Sequence, residues 1–298
     1  MKSKADELLI GAIDMHCHGF PEFSLEFPNR FSDEETVQMM INARMGGVVF
    51  KSHFYPTTTT AYYLRKKFPD FNIFSSITLN ASSGGCNVWT VEAAYKLGAK
   101  VVYLPTWSAY NDQERNSICR LIGNYLPTLS SFTIDDAFSM CDDDGKVHTN
   151  ILDIISFVKE KDLVLFTGHI SPMESIAVAK AAKELGLKKL VMNHPDSGSV
   201  HATLEQIKAV AELGAFVEIC TLGVTPLYFR LPIPEMKQII DIVGPEKMIL
   251  DTDYFFDWSA PVPEQMRQVI ASLIIKGVSE EAIRKMVSEN QRYLLGIN

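Results

Sequence analysis

The sequence predicts an α/β chain of the (β/α)8 TIM-barrel class, and three observations lead there. Short β-branched and aromatic runs alternate with longer segments of helical period, the signature of βα units and a parallel sheet. Eight such runs can be read along 298 residues, close to the ~250 typical of such barrels. Five of the seven histidines stand at the carboxyl ends of those runs, the end where a barrel carries its chemistry.

The eight expected strands are Ile10–His18, Gly47–His53, Asn72–Leu79, Lys100–Leu104, Leu163–Gly168, Lys189–Asn193, Ala215–Cys220 and Met248–Thr252. Helices with readable caps lie between them. Ser32-Asp-Glu-Glu35 is a capping-box pattern opening a helix over Asp33 to Arg44. Ser171-Pro-Met-Glu174 repeats it with proline at the first helical position, and that helix should end near Gly186. Gly98 and Gly214 fall at helix-to-strand joints, where a left-handed C-cap is expected. The surplus length falls after the fourth strand. There Tyr110 to Asn150 should form an insertion near the barrel mouth, with a helix at about Asp112 to Tyr125 and a hairpin turning at Asp143-Asp-Gly145. A lid or substrate wall and a plain packing or oligomer contact are both open for it. The chain shows no linker, repeat or low-complexity stretch, so one domain over 1–298 is expected. The rival architecture, an open doubly wound sheet, usually carries a glycine-rich first turn. This chain has His16-Cys-His-Gly-Phe-Pro21 there, so the barrel is preferred.

Composition narrows the function classes. Apolar residues make up 47% and charged residues 21%, the profile of a soluble globular protein. A net charge of −8 argues against a nucleic-acid binder. No apolar stretch approaches the ~20 residues of a spanning helix, and Leu8-Leu-Ile10 is too short for a signal-peptide core. Five cysteines, an odd number without CxxC spacing, argue against a disulfide scaffold or thiolate zinc site. A cytoplasmic enzyme acting on a small molecule, away from membranes and nucleic acid, is the expectation. Pairing of copies through outer helices is open.

The histidines carry the chemistry. Residues two apart on a strand share a face, so His16 and His18 both point inward and can bind one ion, unless the pair is merely structural. Cys17 between them should face the helix layer. His169 ends the fifth strand, after Gly168, a residue that lets backbone approach closely. His194 closes the sixth; it is a ligand or electrophilic group, or else caps a helix entered at Pro195-Asp196. The last strand offers two carboxylates on one face, Asp251 and Asp253. Inward carboxylates stay ionised only beside a cation or hydrogen-bond donors. Asp253, nearer the mouth, is preferred as metal ligand and proton shuttle, with Asp251 supporting it from below; the reverse assignment stays open.

This set resembles the amidohydrolase superfamily of metal-dependent barrels: HxH on strand one, His on strands five and six, Asp on strand eight. The strings Thr167-Gly-His-Ile-Ser-Pro-Met-Glu174, Asn193-His-Pro195, Thr252-Asp-Tyr254 and the tail Ser288-Glu-Asn-Gln-Arg-Tyr-Leu-Leu-Gly296 are similar to members' motifs across the whole chain. The resemblance implies a divalent metal held by His16, His18, His169 and Asp253, with His194 as second-metal ligand or substrate polariser. It also implies hydrolysis of a C–N or C–O bond in an amide, cyclic amide or lactone by metal-activated water. Histidine-rich ligation favours zinc, as one ion or two.

One departure matters. Binuclear members supply a bridging carboxylated lysine or glutamate from strand four, and here that strand ends Tyr103-Leu-Pro-Thr-Trp107. Lys51, inward on strand two beside His53, offers three roles: a carboxylated bridge, a cation holding a substrate carboxylate or phosphate, or a salt bridge to Asp251. His53 is read as a substrate contact ahead of a metal ligand. Glu218 is a further inward acid or a partner of Lys51, and His201 could reach the mouth from the helix after strand six. Trp107, Tyr254, Phe255 and Phe256 form either the pocket rim or plain core. His148 belongs to a helix start. Without the strand-four bridge, a mononuclear non-oxidative decarboxylase or hydratase is the alternative enzyme. A PHP-type phosphoesterase would end in Asp-x-His where this chain has Asp251-Thr-Asp253, and a silent binding barrel fits the intact cluster poorly.

Overall fold

The computed structural model describes residues 3–26 and 29–297. All eight expected strands form, each a little shorter than the apolar run that encodes it except the fourth, which keeps its length and begins one residue earlier. They are β1 (Ile13–His18), β2 (Gly47–Lys51), β3 (Asn72–Thr78), β4 (Ala99–Tyr103), β5 (Val164–Phe166), β6 (Leu190–Met192), β7 (Phe216–Cys220) and β8 (Met248–Asp251). They lie in one sheet in the order β1 to β8, with parallel pairing. The first and last strands also meet: His18 N–H donates to the Tyr254 carbonyl at 2.9 Å, and Asp253 N–H to the His16 carbonyl at 2.9 Å. A parallel sheet whose end strands meet is a (β/α)8 barrel. Every residue of β1, β2 and β8 is buried, as expected when both faces of a parallel strand are covered.

The helices following the strands are α2 (Asp33–Asn42), α3 (Thr58–Lys67), α4 (Val88–Lys96), α7 (Thr149–Glu160), α8 (Pro172–Leu185), α9 (Leu204–Glu212), α10 (Ile233–Val243) and α11 (Val262–Ile275). An N-terminal helix α1 (Lys4–Leu9) precedes the sheet, and α12 (Glu280–Arg284) and α13 (Asn290–Leu295) end the chain. Both predicted capping boxes close, Ser32 with Glu35 and Ser171 with Glu174. Gly186, Gly98 and Gly214 take positive φ at the joints where left-handed caps were expected.

The chain packs as two compact units. One comprises residues 1–51, 57–75 and 218–298; the other 52–56 and 76–217; the boundaries fall inside β3 and β7. In the first unit the tail motif has a mechanical reason. Asn290 donates to the carbonyls of Pro245 (2.8 Å) and Met248 (2.6 Å), and Ser288 donates to that of Gly11 (2.8 Å), fixing the entries to β8 and β1.

In the second unit an aliphatic core runs beneath α7 and α8, including Ile151, Ile154, Ile155, Val158, Val178 and Ala182. The stretch after β4 differs from the expected single helix. It forms α5 (Tyr110–Arg115) and α6 (Ile118–Gly123), broken where Asn116 adopts φ +49°. The Asp112 carboxylate accepts from Cys119 N–H at 2.9 Å and folds the second helix back on the first. At the expected hairpin the pairing is limited to a bridge of Cys141 with Val147 around a turn capped by Asp142. His148 is the N-cap of α7. No helix among the described residues is long and apolar enough to cross a membrane.

Candidate metal centre

In the first unit, a bulge between Asp14 and Cys17 shifts the β1 register where the HxH begins. The His16 and His18 rings come to 5.2 Å between centroids, both buried. Asp253 Oδ1 lies 3.2 Å from Nε2 of each. These three donors sit close enough to hold one ion. Asp253 takes φ +54°, a left-handed conformation that costs most residues energy but is tolerated by Asp and Asn. That backbone turn, just past β8, aims the carboxylate back at the two imidazoles. At 8% exposure it is the most accessible of the three.

The opposite edge of each ring is also engaged. His16 Nδ1 lies 2.9 Å from Glu218 Oε1, and His18 Nδ1 lies 3.0 Å from Glu22 Oε1. A carboxylate there fixes the tautomer with Nδ1 protonated, leaving the Nε2 lone pair for a cation. The Lys51 amine shows where those lone pairs point: Nζ is 2.9 Å from His16 Nε2 and 3.4 Å from His18 Nε2. It stands in for a cation at these donors. Burial pushes the Lys51 pKa below its ordinary value, against the opposing pull of Asp253, Glu22 and Glu218. The donor set fits a divalent ion: two imidazoles, one reachable carboxylate and anionic support behind each ring.

Beneath the histidines lie further buried acids. Asp251 accepts from Met15 N–H at 2.8 Å, and burial beside Glu218 and Asp14 raises its pKa well above the ordinary carboxylate range. Glu218, whose charge contributes to that rise, in turn meets His16 Nδ1. Asp14 accepts from the N–H groups of His16 and Thr252, each at 3.1 Å, and from the Thr252 hydroxyl.

Burial raises the Asp14 pKa to about 6 from an ordinary 3.8. A raised carboxyl pKa stabilises the fold at low pH, and the contribution is lost as pH climbs through that interval. Metal-free protein should therefore unfold at lower urea concentration at pH 7.5 than at pH 5. Asp14→Asn should narrow the difference.

The second unit holds His53, His169 and His194, all buried. Ring centroids of His169 and His194 are 5.1 Å apart, those of His53 and His169 6.3 Å. Here too the Nδ1 edges are engaged. His169 Nδ1 meets Asp112 at 2.7 Å, and His194 Nδ1 meets the Ser197 hydroxyl at 3.0 Å. The chain after His194 turns through Ser197 and enters α9 only at Leu204, so the helix entry expected at Pro195 is absent. His201 is exposed, with φ +56°, ahead of the Thr203 cap. The His53 carbonyl accepts from Asn80 (2.9 Å) and Trp107 Nε1 (3.3 Å).

Three supporting carboxylates differ in how visible they are in the sequence. Glu218 is visible as an inward acid on β7. Glu22 and Asp112 were missed; Glu22 is four residues beyond His18 and could have been found by seeking an acid within reach of each ligand. Asp112 is 57 positions from His169 and carries no such signal. Replacing Glu22 by Gln should weaken divalent-ion affinity by about 10-fold or more, the usual cost of losing a carboxylate behind a ligand imidazole. A competitive chelator titration would measure it.

Residues 11–218 match a family of unknown function (DUF6282). The chain belongs to that family. Among proteins of curated function, none matches this DUF6282 member in sequence. Its fold recurs in solved structures. The probable dipeptidase PvdM from Pseudomonas aeruginosa superposes with a TM-score of 0.66 at 11% identity, over 98% of this chain and 96% of that one. An amidohydrolase from Pseudomonas aeruginosa gives 0.59 at 13% identity over 98% of both chains. The organophosphorus hydrolase from Deinococcus radiodurans gives 0.60 at 12% identity, over 98% and 94%. The DUF6282 chain thus shares the barrel of the amidohydrolases from end to end, as the sequence motifs imply.

Proposed function

We propose that this protein is a metal-dependent hydrolase that cleaves a C–N or C–O bond in a small amide, cyclic amide or lactone. The observation that carries the reading is the preparation of the imidazoles: His16, His18, His169 and His194 each have Nδ1 on an oxygen of Glu218, Glu22, Asp112 or Ser197. Core histidines need no such uniform arrangement, whereas Nε2 ligands do. The shared fold of an amidohydrolase, a dipeptidase and an organophosphorus hydrolase supports it.

His16, His18 and Asp253 would hold the ion. Within the second unit, His169 and His194, whose Nδ1 atoms are engaged by Asp112 and Ser197, are proposed as metal donors from their places after β5 and β6, or His194 as a substrate-polarising group. A bound divalent ion, zinc by this donor set, would lower the pKa of water toward ~7 and supply hydroxide at neutral pH. Asp253, the accessible acid, takes the proton released in the attack and delivers it to the leaving group. Glu218 and Glu22 hold the imidazole rings in place. Lys51 places a donor beside the two imidazoles, where it can hold an anionic substrate group. Trp107 and Phe132, with centroids 5.2 Å apart, form an apolar surface next to the His53 backbone.

The test is elemental analysis of purified protein, followed by chelation, reloading and a panel of amides, lactones and phosphoesters. Turnover that follows metal content and consumes water supports the reading; carbon dioxide released without water consumption would replace it with the decarboxylase. Protein without affinity for any divalent ion would overturn both.

A further inference from the structure

From the His18 ring a continuous file of aromatic side chains leads outward through the first unit. Phe255 comes first, its centroid 5.0 Å from the His18 ring. Phe256 follows at 3.9 Å with planes 34° apart, and Trp258 stacks on Phe256 at 4.4 Å and 15°. Phe23, from the loop after β1, meets Phe255 edge-on at 5.5 Å. Tyr228, from the loop after β7, lies 6.0 Å from Phe256. Exposure rises along the file, from 5% and 6% at Phe255 and Phe256 to 37% at Tyr228.

An apolar core would not need this arrangement. The rings come from loops after three strands, β1, β7 and β8, at the end of the barrel that carries His18 and Asp253. They begin in contact with a proposed ligand and end in solvent. At the outer end of the file the exposed Tyr228 and half-buried Trp258 leave apolar surface for a ligand to cover, on the side of the barrel that carries His18. The stacked pair Phe256 and Trp258, with planes 15° apart, also favours a flat partner over an alkyl chain, because a planar ring extends the stack.

We propose that Phe255, Phe256 and Trp258 are specificity determinants selecting a substrate whose scissile group is attached to a planar, apolar ring, an aryl amide or aryl-substituted lactone. This rests on the metal-hydrolase reading above. The ring lies along the file, which places the attached carbonyl near His18 and Asp253. The leaving group points away from it.

Hydroxamic acids separate the two readings, because benzohydroxamate and acetohydroxamate present the same chelating group with and without a ring. Binding to zinc-loaded protein is read by calorimetry. Benzohydroxamate should bind about 10- to 100-fold more tightly than acetohydroxamate, the range expected for one buried, stacked ring. Phe256→Leu, which keeps apolar volume, should cut that ratio to about threefold or less and leave acetohydroxamate affinity unchanged; should Phe256→Leu not fold, Trp258→Ala at the outer end is the second variant. Equal binding of both compounds by the wild type, or a ratio unmoved in the folded variant, overturns the aromatic specificity alone. Failure of both compounds to bind overturns the metal reading and this proposal with it.

Discussion

Asp253→Asn should lower kcat by about 10^2- to 10^4-fold, the range that one positioned acid–base group contributes. Folding should be nearly unchanged, because asparagine tolerates the φ of +54° at this position as well as aspartate does. The amide oxygen can still face the two imidazoles, so most metal binding should remain. The discriminating measurement pairs kcat with metal content in the same preparation. Near-normal turnover would remove Asp253 from proton transfer; loss of metal in parallel with activity would make it a ligand only.

The largest stability effect is expected at a residue without chemistry. Gly168 has φ +63°, and a Cβ there would lie 2.3 Å from the Leu104 carbonyl oxygen and 2.4 Å from that of Pro105. Both obstacles are backbone and cannot swing away. The neighbourhood is pinned as well: His169 N–H donates to the Pro105 carbonyl at 2.9 Å, and Gly168 N–H to Asn193 at 2.7 Å. Gly168→Ala therefore combines a left-handed strain of about 1–3 kcal/mol with a steric clash, and the total should exceed about 4 kcal/mol. Urea unfolding of the variant, or its failure to accumulate as folded protein, would register this. A midpoint within experimental scatter of the wild type would show that β4 and β5 can part without cost. The close approach anticipated from the sequence at this glycine is thus the point where the second unit has least room.

What the sequence made legible was what local chemistry encodes. Strand positions followed from apolar runs, and the caps at Ser32 and Ser171 followed from the spacing of Ser and Glu. The pairing of His16 with His18 follows from the two-residue period of a strand. Its limits were set by contacts between distant residues. Nothing around Asp112 announces that its carboxylate ends beside an imidazole 57 positions later. The break at Asn116 was hidden because the apolar spacing over 112–125 suits one helix as well as two short ones. Their shared strand face points Asp251 toward Asp253, and only the fold reveals that the Asp251 carboxyl takes the Met15 N–H across the sheet. Lys51 pointed inward as expected, but only the fold reveals that it lies against the two imidazoles.

The stretch following β4 has a consequence for how this lineage can vary. Asp112 grips the His169 ring, and Asn111 beside it donates to the His169 carbonyl at 2.9 Å and the Ser199 carbonyl at 2.6 Å. Pruning residues 110–150 to the short connection most barrels use would untether that imidazole from both its edge and its backbone. A relative with an abbreviated connection must therefore recruit another anchor for the same ring or abandon it, so loop length and the fate of the fifth-strand histidine should be inherited together.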